Sequence, residues 1–131
     1  MKKLALALLF IGAAYSAMIR VPEDYATIQV AINEAVDGDI IQVAAGTYNE
    51  NINFNGKNIA VVGDNQETTI IDGGGSGSVV TLNGGQDQTA ALVGFTITNG
   101  DAAYGGGIYI RESSPTLTNL TISGNSAEYY G

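Results

Sequence analysis

The feature that most constrains this chain is an internal repeat at a distance of 25 residues. Segment 92–98, Leu-Val-Gly-Phe-Thr-Ile-Thr, aligns with segment 117–123, Leu-Thr-Asn-Leu-Thr-Ile-Ser, and Tyr104 and Gly106 then align with Tyr129 and Gly131. A period of roughly 20 to 50 residues indicates a solenoid or an array, and a propeller blade needs roughly 40 to 45. The shorter period therefore predicts coils of a β-helix.

From Ile40 onward the chain consists of short β-favouring runs separated by Gly, Asn and Asp. Alternation of Leu, Ile or Phe with Thr or Ser directs one face of each run to a shaft and the other to solvent. The spacing alone also suits an antiparallel sandwich, but the fixed repeat favours stacked parallel coils. The crossover preference makes them right-handed. The runs are 40–43, 52–54, 59–62, 69–71, 79–82, 92–97, 108–110 and 117–122.

One amphipathic helix of about ten residues is expected before the coils, from about Thr27 to Val36, with a glycine stop at Gly38. A solenoid needs a cover over its first coil, because unpaired strand edges recruit other chains. We therefore predict an all-β fold, a right-handed parallel β-helix with a short N-terminal capping α-helix. The apolar stripe of the helix consists of Ile28, Ala31, Ile32 and Ala35.

The first residues are typical of an export signal. Lys2 and Lys3 precede an apolar run at 4–14, which is too short for a bilayer that needs roughly 20 apolar residues. Small residues favour cleavage between Ser16 and Ala17, with Ala14/Tyr15 second and a retained anchor as the alternative. The expected organisation is a signal peptide at 1–16, an N-terminal segment with the helix at 17–39, and three to four coils at 40–131.

This organisation implies an exported protein, extracellular, on the outer-membrane surface or in the periplasm, with no transmembrane helix in the mature segment. The sequence stops at the point where the preceding repeat begins a new turn and strand. We therefore expect a C-terminally truncated, incomplete β-helix whose partners include the remaining coils of the same chain.

The composition excludes several kinds of catalytic and metal-binding site. The chain has no histidine or cysteine, which leaves no imidazole base, no thiolate nucleophile and no nitrogen or sulfur ligands for zinc. Without Lys2 and Lys3, three cations face 13 acidic residues, a net charge of −10. Nucleic acid is not expected as a partner, since phosphate contacts need clustered Lys and Arg.

The segment from Tyr25 to Glu50 resembles the opening of pectin lyase-like β-helix proteins, including pectinesterases. The resemblance implies a right-handed parallel β-helix and an extracellular activity on polysaccharides. Pectinesterase motifs similar to YQDTL and DFIFG do not occur in this sequence, so no catalytic residue is assigned. The matching residues are Ile28-Gln29, Ala31-Ile32, Ala35, Gly38-Asp39, Ile41, Val43, Gly46, Tyr48 and Glu50.

The later part is similar to the repeats of bacterial surface proteins, including passenger domains of chlamydial polymorphic outer-membrane proteins. That similarity is carried by 105–108, 113–117 and 122–127. Two functions follow. One is an exported or cell-surface adhesin or carbohydrate-binding passenger without catalysis in this segment. The alternative is the N-terminal fragment of a polysaccharide-active enzyme of the pectate lyase or pectinesterase type.

Two sets of side chains are candidates for binding. Tyr109, which alternation directs outward between Ile108 and Ile110, and Tyr104 are candidates for stacking on sugar rings of a polysaccharide or a host or cell-surface glycan. Asp72 and Asp101 follow or precede glycine-rich turns, where carboxylates of adjacent coils can hold Ca²⁺. Each set has a structural alternative, because aspartate is a common turn residue and isolated surface aromatics are ordinary. No other cofactor is expected.

Overall fold

The computed structural model describes residues 16–131. The predicted signal peptide, 1–16, lies outside these residues except for Ser16. The described chain contains one helix and twelve strands: β1 (Met18–Val21), α1 (Ile28–Glu34), β2 (Ile40–Val43), β3 (Gly46–Asn49), β4 (Ile52–Asn53), β5 (Ala60–Gly63), β6 (Thr69–Asp72), β7 (Val80–Leu82), β8 (Ala91–Thr98), β9 (Asp101–Tyr104), β10 (Ile108–Ile110), β11 (Thr116–Ile122) and β12 (Ser126–Tyr130).

The strands form a parallel β-solenoid. Strands β1, β2, β5, β8 and β11 lie side by side in that order, and the second half of β8 also pairs with β6, which pairs with β3. Two further sheets follow the orders β4-β7-β10 and β9-β12. Every strand pair is parallel. The right-handed parallel β-helix predicted from the repeat is therefore confirmed.

The coils differ in length. Equivalent shaft residues are Ile19, Ile41, Val61, Leu92 and Leu117, so successive coils advance by 22, 20, 31 and 25 residues. Only the last step has the period that the sequence repeat shows. Residues 16–131 form five rungs, of which β1 lies ahead of Ile40, where the sequence-based count of three to four coils began.

A single apolar shaft holds the coils together. Ile19, Ile41, Val61 and Leu92 stack in register and are all inaccessible to solvent. Burial of such a side chain contributes about 1.5–3 kcal/mol. Because each coil covers the apolar face of its neighbour, the shaft is continuous from α1 to Ile97.

One corner of the solenoid allows two backbones to meet. A Cβ atom on Gly63 would lie 2.3 Å from the carbonyl oxygen of Gly94, and one on Gly94 would lie 2.8 Å from the carbonyl oxygen of Gly63. Gly94 also has a φ of +78°, which side chains rarely adopt. Glycine at both positions therefore lets β5 and β8 stack without a gap.

The helix α1 packs against β1, β2 and β4 at the N-terminal end of the shaft, and neighbouring coils bind both its ends. Glu50 accepts hydrogen bonds from the backbone N–H groups of Ile28 and Gln29, both at 2.9 Å, and Thr27 accepts one from Val30.

At the C-terminal end of α1, Lys57 Nζ donates to three carbonyl oxygens, those of Ile32, Asn33 and Ala35, at 2.7–2.9 Å. These contacts satisfy groups that a helix leaves unpaired.

The helix spans seven residues instead of the expected ten or so. It ends at Glu34, and Ala35 is already extended, with a ψ of 154°. Its last carbonyl groups bind Lys57, so no glycine cap at Gly38 is needed. The predicted apolar stripe is confirmed, since all four of its residues are buried.

Gln29 closes an open sheet edge. Its side-chain amide accepts a hydrogen bond from Asn53 N–H at 2.7 Å and donates one to the Asn53 carbonyl oxygen at 3.1 Å. Asn53 lies in β4, the first strand of its sheet. The glutamine thus occupies the place of a preceding strand, which protects an edge that otherwise recruits other chains.

Within residues 16–131, no helix is long and apolar enough to cross a membrane.

Candidate functional site

Three tyrosines meet on the last two coils. Strands β9 and β12 pair in parallel, and this pairing places Tyr104 beside Tyr129 and Tyr130. The ring centroid of Tyr104 lies 5.4 Å from that of Tyr129, and 6.0 Å from that of Tyr130 with only 19° between the planes. All three rings are exposed. The arrangement presents aromatic faces to solvent instead of burying them in the shaft.

A tight turn brings Tyr109 to the same place. Gly105, with a φ of +57°, begins the bend between β9 and β10, and a Cβ atom on it would lie 2.6 Å from the Ile108 carbonyl oxygen. Gly105 N–H also donates to the Tyr130 carbonyl oxygen at 2.8 Å. This glycine therefore ties together the three segments that carry the aromatic residues.

Together these segments form an open groove of about 400 Å³, here called the tyrosine groove. Of the described residues that line it, none is Asp, Glu, Lys or Arg. An aromatic groove without charged walls suits the apolar faces of a neutral ligand, while the tyrosine hydroxyl groups offer hydrogen bonds. Its lining residues are Tyr104, Gly105, Ile108, Tyr109, Ile110, Tyr130 and Gly131.

The structure brings the two predicted tyrosines together and adds a third. Tyr104 and Tyr109 both line the groove, and so does Tyr130, whose ring stacks beside that of Tyr104. The 25-residue repeat aligned Tyr104 with Tyr129, whereas a bulge between Ala127 and Tyr130 shifts the pairing so that Tyr104 pairs with Tyr130. Ile110, expected to face the shaft, is 41% exposed because the described residues place no further coil over it.

The two predicted metal ligands, Asp72 and Asp101, form hydrogen bonds within and between turns. Asp72 accepts hydrogen bonds from Gly74 N–H at 2.9 Å and from Asn99 Nδ2 at 3.0 Å, and Asp101 accepts one from Ser126 Oγ at 3.1 Å. Asp72 directly precedes the loop 73–77, and Asp101 pairs with Gly77 of that loop in an isolated antiparallel bridge. Nowhere in the described range do three or more acidic side chains gather as metal ligands. A calcium ion at these residues stays a prediction.

The polar residues of the opening motif have structural partners. Gln29 and Glu50 hold the helix and the sheet edge as described above. The buried carboxylate of Asp39 accepts hydrogen bonds from the backbone, and Tyr48 donates its hydroxyl proton to the Ala44 carbonyl oxygen at 2.7 Å. The segment that resembles pectin lyase-like proteins is thus engaged in building the first coils.

Comparison with known proteins agrees with this architecture. Residues 54–129, more than half of the chain, match a family described as "Protein of unknown function (DUF1565)", which is typically composed of β-helix proteins. The matched segment includes Tyr104, Tyr109 and Tyr129 but begins after the helix and its motif. A comparison with curated proteins gives no match. The chain, a parallel β-solenoid with an aromatic groove on its last two coils, therefore belongs to the DUF1565 family.

Proposed function

We propose that this protein is an exported, cell-surface β-helix that binds a glycan chain in the tyrosine groove, without catalysis in the described segment. The observation that carries the proposal is the convergence of Tyr104, Tyr109 and Tyr130 from three strands onto one open groove. Sugar rings have apolar faces that pack on aromatic rings, and their hydroxyl groups hydrogen bond with tyrosine. Such a surface suits an adhesin or a carbohydrate-binding passenger.

Charge favours a neutral glycan. The chain has a net charge of −8, and such an excess of negative charge repels polyanions over several ångströms in physiological salt. No basic side chain lines the groove to compensate for a carboxylate on the ligand. We therefore infer that a neutral polysaccharide binds better than a polyuronate of the same length.

The opening motif does not add support for an enzyme. Its polar residues Gln29, Asp39 and Glu50 hold backbone groups of the first coils. A catalytic acid or base must have its reacting atoms within hydrogen-bond reach of a substrate, and these atoms are engaged in the cap. The motif therefore supports the fold and the non-catalytic proposal.

The test is a titration of the full-length exported protein with a neutral hexasaccharide, a β-1,4-linked glucan, and with a galacturonate hexasaccharide. We expect saturable binding of the neutral sugar and weaker binding of the anionic one. Tyr109→Ala and Tyr130→Ala should each weaken binding about tenfold, which corresponds to about 1.4 kcal/mol. Tyr109→Phe should retain most of the affinity if ring stacking dominates.

A matched control lies at the opposite end of the solenoid. Val36 is an apolar residue that is 54% exposed and lies beside the helix, far from the groove in the stack. Val36→Ala should leave the affinity unchanged. If the tyrosine variants, shown to be folded by circular dichroism, bind as well as the original protein, the groove is not the binding site.

A further inference from the structure

The first strand begins at a buried carboxylate. Asp39 is 1% exposed, and its Oδ1 accepts a hydrogen bond from the backbone nitrogen of Ala17 at 2.9 Å. Its Oδ2 accepts one from Val36 N–H, also at 2.9 Å. The carbonyl oxygen of Ala17 in turn accepts a hydrogen bond from Ile40 N–H at 2.9 Å. Ala17 is thus held by a hydrogen bond at its nitrogen and another at its carbonyl oxygen.

This nitrogen is the atom that a cut between Ser16 and Ala17 would release. Position 16 is serine and position 14 is alanine, the small residues that an export peptidase accepts at the first and third positions before its cut. A cut after Ala14 would instead leave the Ala17 nitrogen as an ordinary amide. The two cuts therefore differ in whether the nitrogen that Asp39 contacts becomes an ammonium group.

We propose that the Ser16–Ala17 peptide bond is a processing site and that the α-ammonium group released on Ala17 binds the buried carboxylate of Asp39. The proposal rests on the export part of the proposed function and is independent of the glycan groove. Asp39, two residues after the exposed Asp37, acts as an internal receptor for the new N-terminus.

The reaction is a hydrolysis by a leader peptidase. Water adds across the bond between the Ser16 carbonyl carbon and the Ala17 nitrogen. The oxygen of the water becomes part of the Ser16 carboxylate, and both of its protons end on the nitrogen, which becomes an ammonium group. Because the nitrogen keeps its place 2.9 Å from Oδ1, a hydrogen bond in which only the carboxylate is charged becomes an ion pair in which both partners are charged.

Processing then stabilises the first coil. Asp39 joins the start of β1, the residues after α1 and the start of β2, so a stronger bond at Ala17 holds the cap on the shaft. The unprocessed precursor, in which Ala17 carries only an amide, has the weaker form of this junction. Export and final stability are thereby linked through one side chain.

The first experiment is the expression of the full chain in a secreting bacterial host, followed by mass spectrometry of the exported product. We expect an N-terminus at Ala17. A product that begins at Tyr15 would overturn the proposal while leaving export intact, and a product that retains residues 1–16 would overturn both.

The second experiment measures the acylation rate of the α-amine near pH 7 with a succinimidyl ester, with peptide mapping to separate it from Lys57. A neighbouring carboxylate favours the charged, unreactive form of the amine. We expect the amine of the processed protein to react roughly tenfold more slowly than that of Asp39→Asn. Asp37→Asn, a substitution in the same turn at a carboxylate that accepts from Asn58 N–H, should react like the original protein. Equal rates in all three would contradict the proposal.

If Asp39→Asn does not fold, the thermal midpoints of the processed protein and of the full-chain precursor decide the matter. We expect the processed form to melt about 4 °C higher. Equal midpoints, or a lower one for the processed form, would overturn the proposal.

Discussion

The hydroxyl group of Tyr48 donates a 2.7 Å hydrogen bond to the Ala44 carbonyl oxygen, and its ring packs against the shaft. Burial raises the pKa of this phenol above its ordinary value of 10.0, and the nearby carboxylates of Asp64 and Glu50 raise it further. All three causes disfavour the phenolate. The residue therefore remains a neutral hydrogen-bond donor at pH values where an unfolded tyrosine ionises.

This shift predicts a loss of stability in alkali. Between the unfolded pKa, near 10, and the higher folded pKa, the unfolded chain binds fewer protons, so the free energy of unfolding falls as pH rises. The contribution of Tyr48 is complete below pH 10 and disappears as pH rises through the folded pKa. Urea unfolding at pH 8 and pH 11 should show a smaller alkaline loss for Tyr48→Phe than for the original protein. Equal losses would contradict this assignment.

The contact between Gly63 and Gly94 predicts an unusually large effect for a small substitution. A Cβ atom at position 63 would lie 2.3 Å from the Gly94 carbonyl oxygen and 3.1 Å from Thr69 Cβ. The nearer of these atoms, the Gly94 carbonyl oxygen, belongs to the backbone and cannot move without separating the coils. We expect Gly63→Ala to lower the free energy of unfolding by about 3 kcal/mol, measured by urea unfolding.

Gly75 provides the matched control. It has a φ of +76°, but a Cβ atom there would meet nothing within 4 Å. Gly75→Ala should therefore cost only the backbone strain, about 1 kcal/mol. If both substitutions cost the same, steric contact between coils is not what requires glycine at position 63.

At the scale of elements, α1 is too short to be stable by itself, because isolated helices need roughly 12–15 residues. Its seven residues depend on Glu50 at one end and Lys57 at the other. Glu50→Ala removes the acceptor of two N–H groups, and Lys57→Met removes a charged donor that three carbonyl groups share. We expect each to lower the free energy of unfolding by about 1–3 kcal/mol.

The charge change itself needs a control. Glu67 is exposed and lies in the loop between β5 and β6, away from the helix. Glu67→Ala removes the same charge, and surface substitutions of this kind usually change stability by less than about 0.5 kcal/mol. Thermal unfolding of the three variants separates the loss of the helix-end hydrogen bonds from the change in net charge. If Glu67→Ala lowers the thermal midpoint as much as Glu50→Ala does, the hydrogen bonds of Glu50 are not the cause.

Most strands with alternating apolar residues were predictable, and three of the four strands that were missed are held mainly by pairing. The pattern located eight strands, β2, β4 to β8, β10 and β11, within about two residues at each end. It missed β1, β3, β9 and β12. Of these, β3, β9 and β12 have no fully buried residue, and their stability comes from hydrogen bonds to a neighbouring coil that no local pattern encodes.

The sequence predicted two of the tyrosines that line the groove. Alternation directed Tyr109 outward, and the repeat linked Tyr104 to the end of the chain. The choice of Tyr130 over Tyr129 depends on a bulge in β12, and the close approach of Tyr109 depends on the turn at Gly105. Both are properties of backbone geometry between coils.

At the scale of the whole molecule, unequal coil lengths explain why the sequence shows a repeat between one pair of neighbouring coils and not between the others. The step of 31 residues from Val61 to Leu92 contains three loops, 64–68, 73–79 and 83–90. Stacking requires equivalent strands to align, but it leaves the loops between them free to vary. The shaft is therefore regular although the sequence period is not.

The two ends of the described solenoid differ in what they expose. At the first end α1 and Gln29 cover the shaft and one sheet edge. At the other end Ile110, Leu117 and Ile122 are 41%, 38% and 51% exposed. In residues 16–131, β11 pairs only with β8, so its other edge offers unpaired backbone groups beside an apolar surface. This combination promotes association between chains.

We therefore predict that residues 17–131, produced alone, self-associate as their concentration rises, and that Leu117→Lys combined with Ile122→Lys reduces this association by placing charge on the apolar surface. Sedimentation velocity over a wide concentration range measures the effect. Val36→Lys adds positive charge at an equally exposed apolar residue near the covered end and should leave association unchanged, since the surface it alters is not the open one. A monomer at every concentration, or an equal effect of Val36→Lys, would show that the exposed end of the shaft does not drive association.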